Sequence, residues 1–367
     1  MKVHLVAAAR PNFMKIAPLY HELARQPWCE PRIVHTGQHY DANMSDAFFR
    51  DLDLPRPHFH LEVGSGSHAE QTGGVMIAFE KVVQQDKPDV IVVVGDVNST
   101  AACAIVGTKL WIPVVHLEAG LRSGDRRMPE EINRLVTDAI VDVLWTPSRD
   151  ADANLIAEGV KRERIDFVGN MMIDSFVMMR GAIEADGTRA ALGLAQGGYA
   201  VVTLHRPSNV DTVEALAPIV EQLVAVSRRV PILFAVHPRT RKKLEQFGLL
   251  ATLTREPGIK LSEPLGYIQF MNLVISARAA ITDSGGVQEE TTFLGIPCLT
   301  LRENTERPVT VTEGSNRLVK VHELEARVDD VLGARWPTGR RPDCWDGGTA
   351  RRCAEALRRR FGPKADS

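Results

Sequence analysis

The stretch Ile281-Thr282-Asp283-Ser284-Gly285-Gly286-Val287-Gln288-Glu289-Glu290 decides the fold. An apolar strand, Ala279 to Thr282, runs into Ser-Gly-Gly; an amphipathic helix continues to Gly295, and Ile296-Pro297-Cys298-Leu299 opens the next strand. Strand, glycine turn and helix N-terminus together make a place for an anion. The first N–H groups of a helix lack intrahelical partners, and the helix dipole favours negative charge there. Ser284 is placed to cap the helix, and Gly285 and Gly286 let a phosphate approach the backbone. The plainer reading is an ordinary capped turn. Against it stand Glu289 and Glu290, suited to ribose hydroxyls, and Glu306-Arg307 shortly after the next strand, whose guanidinium matches a phosphate with a fork of N–H groups.

Upstream, apolar and β-branched runs recur at 3–8, 32–35, 90–94, 114–117, 143–145 and 165–168, with helical patterns between them. This alternation predicts a doubly wound parallel α/β sheet, in which ligands bind at the carboxyl ends of the strands. The residues just after each strand therefore matter most. Arg10 leaves the first strand and Lys15 lies on the first helical turn, a pair of cations suited to a diphosphate; the alternative is a solvated helix start. Thr36-Gly37-Gln38-His39-Tyr40-Asp41 follows the second strand as a polar loop. Ser67 and Glu70 have capping-box spacing. Asp96 follows the run Val90-Ile91-Val92-Val93-Val94, and Glu118 follows Val114-Val115-His116-Leu117. A carboxylate beside a buried strand costs free energy unless partnered. Pro129 starts a helix, and Glu130 and Arg134 lie four apart on one face of it, the spacing of a surface ion pair worth about 0.2–0.5 kcal/mol. With Asp96 and Glu118 at the same strand ends, Glu130 completes a cluster of carboxylates fit for acid–base work.

The alternation resumes in the second half. His205 and His237 stand at the tips of successive strands, and Leu265 and Phe270 flank a turn suited to a uracil-like base, or simply to packing. The expected division is 1–174, 175–345 and a final arginine-rich helix in 346–367 that packs back on the first domain.

The 367 residues exceed what one core usually fills, and 44% apolar with 25% charged residues is ordinary globular composition. A net charge of −2 gives no general attraction to nucleic acid or anionic membrane. The N-terminus reads as a strand and not as a signal peptide, and no run reaches the roughly 18 apolar residues of a membrane span. Five scattered cysteines with no CxxC pair suggest a reducing cytoplasm and no structural zinc. HExxH, a Cys/His quartet, GxGxxG after the first strand and the Walker A loop are all missing, which disfavours metal, NAD and ATP chemistry and leaves no cofactor expected. A nucleoside diphosphate-sugar suits what remains. Its phosphates would meet Ser284, Gly285, Gly286, Arg10 and Arg307, and its sugar Asp96, Glu118 and Glu130.

Nine motifs in order carry a resemblance. They are Ala9-Arg10-Pro11-Asn12-Phe13-Met14-Lys15, Thr36-Gly37-Gln38-His39, Gly95-Asp96, His116-Leu117-Glu118-Ala119-Gly120-Leu121-Arg122, Pro129-Glu130-Glu131-Ile132-Asn133-Arg134, His205-Arg206-Pro207, His237-Pro238, the Asp283 stretch above, and Thr305-Glu306-Arg307-Pro308. From about residue 3 to 320 the chain resembles the non-hydrolysing UDP-N-acetylglucosamine 2-epimerases. The resemblance implies a GT-B fold, two Rossmann-like domains with a central interdomain cleft, and a cytoplasmic homodimer. It implies interconversion of UDP-GlcNAc and UDP-ManNAc by loss of UDP and the C2 proton, and re-addition through 2-acetamidoglucal. Asp96, Glu118 and Glu130 would be the acid–base set, and His205 would handle the diphosphate or a proton. Arg10, Lys15, Ser284, Gly285, Gly286, Glu290 and Arg307 would bind UDP, Leu265 and Phe270 the uracil, with Arg134 and His237 also on the substrate. Gln38 and His39 match an allosteric site for a second UDP-GlcNAc. Asp41 stands where a glutamine is usual there, and the loop 64–68 lacks the usual arginine. The segment between Glu118 and Glu130 is short, as in relatives acting on UDP-2,3-diacetamido uronic acids.

Overall fold

A computed structural model describes residues 1–37, 49 and 51–362. Among them the chain forms two α/β units, Met1–Met178 with Asp343–Ser367, and Met179–Pro342. The helix Met171–Ala185 carries the chain from the first unit into the second.

The first unit holds a parallel sheet of seven strands. They are β1 (Lys2–Ala7), β2 (Glu30–His35), β3 (Phe59–His60), β4 (Val90–Val94), β5 (Val114–Leu117), β6 (Val143–Thr146) and β7 (Ile165–Phe167), in the order β3-β2-β1-β4-β5-β6-β7. All five residues of β4 are buried, as a central parallel strand covered by helices on both faces requires. The two-residue β3 is an addition to the expected strands. In the second unit β8 (Ala200–Thr203), β9 (Ile232–Ala235), β10 (Ile259–Ser262), β11 (Ala279–Thr282), β12 (Cys298–Thr300) and β13 (Asn316–Leu318) run in the order β10-β9-β8-β11-β12-β13. Both orders reverse once, between β1 and β4 and between β8 and β11. Each half is thus Rossmann-like, and the pair has the GT-B architecture. In such sheets the ligand crevice lies outside the carboxyl ends at the reversal.

Register brings the relevant tips side by side. Val94 pairs with Leu117, so Gly95 and Glu118 emerge together. Thr203 pairs with Thr282, so Leu204-His205 and Asp283-Ser284 emerge together.

The expected caps differ. Ser67 and Glu70 form the capping box of the helix His68–Gln85, Ser67 Oγ accepting from the Glu70 N–H at 3.3 Å. Ser284 occupies the N-cap of the helix Gly285–Leu294, but its hydroxyl makes no capping bond. Instead its backbone N–H donates to Thr282 Oγ1 at 3.0 Å, which turns the chain without the serine hydroxyl.

The helix Thr349–Phe361 belongs to the first unit and buries Cys353, Ala354, Ala356 and Leu357. Three of its arginines are engaged: Arg359 and Arg360 pair with Asp166, and Arg352 with Asp346. The five cysteines are free thiols. Among the described residues no helix is long and apolar enough to cross a membrane.

Candidate active site

In the first unit, Asn12 ties the tips of β1 and β4 together. Its Oδ1 accepts from the Ala9 N–H at 3.1 Å, and its Nδ2 donates to the Val94 carbonyl at 3.1 Å. Arg10 begins the same helix and is exposed. Lys15, one turn on, is buried, and its ammonium pairs with the Glu118 carboxylate, itself 5% exposed. The sequence assigned Lys15 to a diphosphate; here it neutralises a carboxylate.

Glu118 holds a φ of +73°, left-handed backbone that a side chain adopts only when its surroundings enforce it. Gly95, at φ +70°, lies alongside. A Cβ there would stand 3.3 Å from Asn12 Nδ2, 3.6 Å from Glu118 Oε2 and 3.7 Å from Lys15 Nζ. The positive φ is what asks for glycine here, and a Cβ would be tight only against Asn12.

The helix Pro129–Ile140 supplies the rest. Arg134, 2% exposed, pairs with Asp96 and, at 2.7 Å, with Glu131. This corrects the expected Glu130–Arg134 surface pair. The buried partner is the neighbouring Glu131, which also accepts from the Ser123 and Gly124 N–H groups at 3.0 and 2.9 Å. Those bonds lie inside the protein, where leaving the arginine unpaired costs most. Asn133 Nδ2 donates to the Asp96 carbonyl at 2.9 Å. Glu130, half-buried, makes no side-chain hydrogen bond or ion pair among the described residues. Beneath these groups His116, Asp138 and Arg122 form a buried network. Burial alone would raise the Asp138 carboxyl above its ordinary value; His116, Arg122 and the Gly120 N–H outweigh it and hold it below.

In the second unit the fully buried Asp283 organises the tip of β8. It accepts from the backbone N–H groups of His205 and Arg206 at 3.1 and 2.9 Å and from Asn209 Nδ2 at 3.0 Å. It also lies 3.1 Å from His205 Nδ1, fixing that ring so that Nε2 is its remaining polar atom. Burial opposes the Asp283 charge, yet these donors, His205 first, hold its carboxyl below the ordinary value. The His237 ring stands 5.5 Å from that of His205, and its Nδ1 accepts from the Arg239 N–H.

Arg307 packs against the glycine turn. A Cβ at Gly285 would stand 3.0 Å from Arg307 Nη1, so the guanidinium lies where the helix N-terminus begins, with Gly286 next to it. Arg307 pairs with Glu289 at 2.7 Å and Glu306 at 2.9 Å. Glu306 also meets Arg302 at 2.8 Å and Arg206 at 3.4 Å. Burial works against its charge, but Arg307, Arg302 and Arg206 hold the Glu306 carboxyl well below the usual range. Glu290 is buried, and burial pushes its carboxyl up to about 8, Glu289 adding to the rise. The Tyr267 hydroxyl donates to Glu290 Oε1 at 2.7 Å. Tyr267 thus serves Glu290, while Leu265 and Phe270 stay half-buried at the start of the helix Tyr267–Val274.

A family model described as UDP-N-acetylglucosamine 2-epimerase matches residues 21–358. The chain belongs to the UDP-N-acetylglucosamine 2-epimerase family. It is 44% identical over 327 residues to the UDP-N-acetylglucosamine 2-epimerase of Methanocaldococcus jannaschii, covering 87% of this chain and 88% of that one. It is 41% identical over 323 residues to the UDP-2,3-diacetamido-2,3-dideoxy-D-glucuronate 2-epimerase of Pseudomonas aeruginosa, covering 87% and 88%. Among solved structures, the M. jannaschii UDP-GlcNAc 2-epimerase in complex with UDP-GlcNAc and UDP matches with a TM-score of 0.88 and 41% identity over 97% of this chain and 99% of that one. The UDP-GlcNAc 2-epimerase of Neisseria meningitidis bound to UDP-GlcNAc matches with a TM-score of 0.89 and 25% identity, covering 98% and 100%.

In this member of the epimerase family, Asp96, Glu118, His205 and Ser284 follow the carboxyl ends of their strands, and the groups that hold them were not evident from the sequence. Glu131, Asp138, Asp283 and Tyr267 carry no motif-level signature of a partner. Their signal was available only as polarity where a helix face or strand tip should be buried. Gln38 and His39, matched to an allosteric site, lie outside the described residues.

Proposed function

We propose that the protein interconverts UDP-N-acetylglucosamine and UDP-N-acetylmannosamine by the non-hydrolysing route. The observation that carries this is Asp96 and Glu118 at the carboxyl end of one sheet, each paired with a buried cation, with Glu130 on the helix that follows and without a hydrogen bond or ion pair among the described residues. In the forward step the C1–O bond to UDP breaks and its electron pair leaves with the β-phosphate. The cationic character gained at C1 acidifies C2–H, and a carboxylate takes that proton while the C–H pair becomes the C1=C2 bond of 2-acetamidoglucal. UDP then adds back at C1, and the proton returns to C2 from the other face. Acid–base groups near C1 and C2, with fixed positive charge for the departing diphosphate, are what this elimination requires.

The roles follow from chemistry. Asp96, Glu118 and Glu130 are the acid–base set. Arg307, the Ser284 hydroxyl, the N–H groups of Gly285 and Gly286, and Arg10 take the diphosphate. His205, oriented by Asp283, presents Nε2 to a phosphate oxygen or to the travelling proton. Glu290 takes ribose hydroxyls, and Leu265 and Phe270 take the uracil. Lys15 and Arg134 act through the carboxylates they pair with, and His237 completes the substrate set. A second reading, epimerisation of UDP-2,3-diacetamido uronic acid, is favoured by the 41% identity to the P. aeruginosa enzyme and by the short segment between Glu118 and Glu130.

Proton NMR of the protein with UDP-GlcNAc in heavy water tests the proposal. The expected product is UDP-ManNAc with deuterium at C2. Free ManNAc and UDP instead mark a hydrolysing enzyme. Unchanged UDP-GlcNAc, with turnover of the diacetamido uronate, makes the second reading correct.

A further inference from the structure

Glu118 sits in backbone that a glutamate does not choose, with φ at +73°, so neighbouring structure must hold it there. One buried side chain reaches both sides of it. Asp138, 1% exposed, contacts His116 Nδ1 at 2.6 Å, two residues before Glu118. It accepts from the Gly120 N–H at 3.0 Å, two residues after, and pairs with Arg122 at 2.8 Å, four residues after. The other ring nitrogen of His116, Nε2, lies 2.8 Å from the Gly95 carbonyl, the residue before Asp96. Both ring nitrogens are thus engaged, one on the helix and one on the tip of β4. Neither group is free to meet a substrate. They tie the tips of β4 and β5 to the helix Pro129–Ile140.

We propose that Asp138 is a positioning residue that holds Glu118 in its left-handed turn and, through His116, fixes that turn to Gly95-Asp96. The inference rests on Glu118 and Asp96 being the acid–base groups of the epimerase. A carboxylate that must meet C2–H within hydrogen-bonding distance tolerates little displacement: about 1 Å of misplacement costs on the order of 10²-fold in rate.

The test compares Asp138→Asn with Asp152→Asn. Asp152 is another buried carboxylate of the first unit, bound to Thr146 Oγ1 at 2.5 Å and to Arg162 at 2.9 Å, and placed outside the site. The expected result is that D138N lowers kcat about 10²-fold, with KM and UDP affinity nearly unchanged, while D152N loses stability and keeps kcat. Retained kcat in D138N, or an equal loss in both variants, overturns the proposal. If D138N fails to fold, His116→Gln severs one side of the clamp alone, and an unchanged kcat there overturns it as well. Should the wild type turn over neither UDP-sugar, the functional reading fails separately. The crystal structure of D138N then decides: Glu118 relaxed out of positive φ supports the clamp, and Glu118 still near +73° ends it.

Discussion

At the carboxyl end of the first sheet, the buried cations Lys15 and Arg134 hold the carboxylates Glu118 and Asp96. At the carboxyl end of the second, the buried carboxylates Glu289 and Glu306 hold the cations Arg307, Arg302 and Arg206. Strand order is alike in the two units, each reversing beside its first strand. Topology therefore chooses where a ligand can sit, and the sign of the charge that each tip presents chooses which part of the ligand it suits. A carboxylate steadied by a cation stays an acceptor for a proton. A guanidinium steadied by carboxylates stays aimed while still able to meet a phosphate.

The largest effect should come from breaking the first arrangement. Glu118→Gln keeps an oxygen for Lys15 and removes the group that accepts a proton. We expect kcat to fall by about 10³-fold or more, within the range that general acid–base catalysis supplies. UDP affinity, which the second unit and Arg10 are proposed to provide, should stay close to that of the wild type. Steady-state kinetics beside calorimetric titration with UDP checks this. If UDP affinity collapses while turnover of bound substrate survives, the division of labour between the units is wrong.

Breaking the second arrangement should reverse the pattern. Arg307→Ala removes a guanidinium from Glu289, which is 1% exposed, and from Glu306, which keeps Arg302 and Arg206. Breaking a buried pair from one side costs about 3 kcal/mol, which a lowered thermal midpoint would show. UDP affinity should drop at least about tenfold, the worth of one charge-assisted bond. Saturated with substrate, the variant should keep a kcat far closer to wild type than Glu118→Gln does. A kcat lost as completely as in Glu118→Gln would place Arg307 in the chemical step.

The sequence carried the sheets because parallel strands buried on both faces are apolar runs, and Val90–Val94 is unmistakable. It could not carry β3, since Phe59–His60 is two residues with no period to read. Strand tips told which residues stand at the carboxyl ends of the sheets; they could not tell what each would touch there. Lys15 and Glu118 are 103 residues apart, and only the folded sheet brings them together. On the helix Pro129–Ile140, spacing of four favoured Glu130 as the partner of Arg134. Spacing of three won, because Glu131 faces the Ser123 and Gly124 N–H groups and Glu130 does not. The choice between neighbouring glutamates was made by a loop elsewhere in the chain.

One carboxylate of the second unit departs from its neighbours and gives the finest test. Glu289 and Glu306 are paired with arginines; Glu290, one residue from Glu289, has a tyrosine hydroxyl instead, and burial raises it from 4.5 to about 8. Below pH 4.5 it is protonated in the folded and unfolded chain alike, so it contributes no pH dependence. Between about 4.5 and 8 the unfolded chain gives up the proton first. Stability then falls as pH rises, by about 1.4 kcal/mol per pH unit at most, and levels off above 8. Glu290→Gln cannot ionise and escapes that loss. Its urea midpoint should match wild type near pH 4.5 and exceed it increasingly towards pH 8. Midpoints that run parallel across this range would mean that Glu290 gives up its proton as readily in the folded protein as in the unfolded chain. The contrast between a cation-holding carboxylate and a neutral one kept for ribose hydroxyls would then have to be given up.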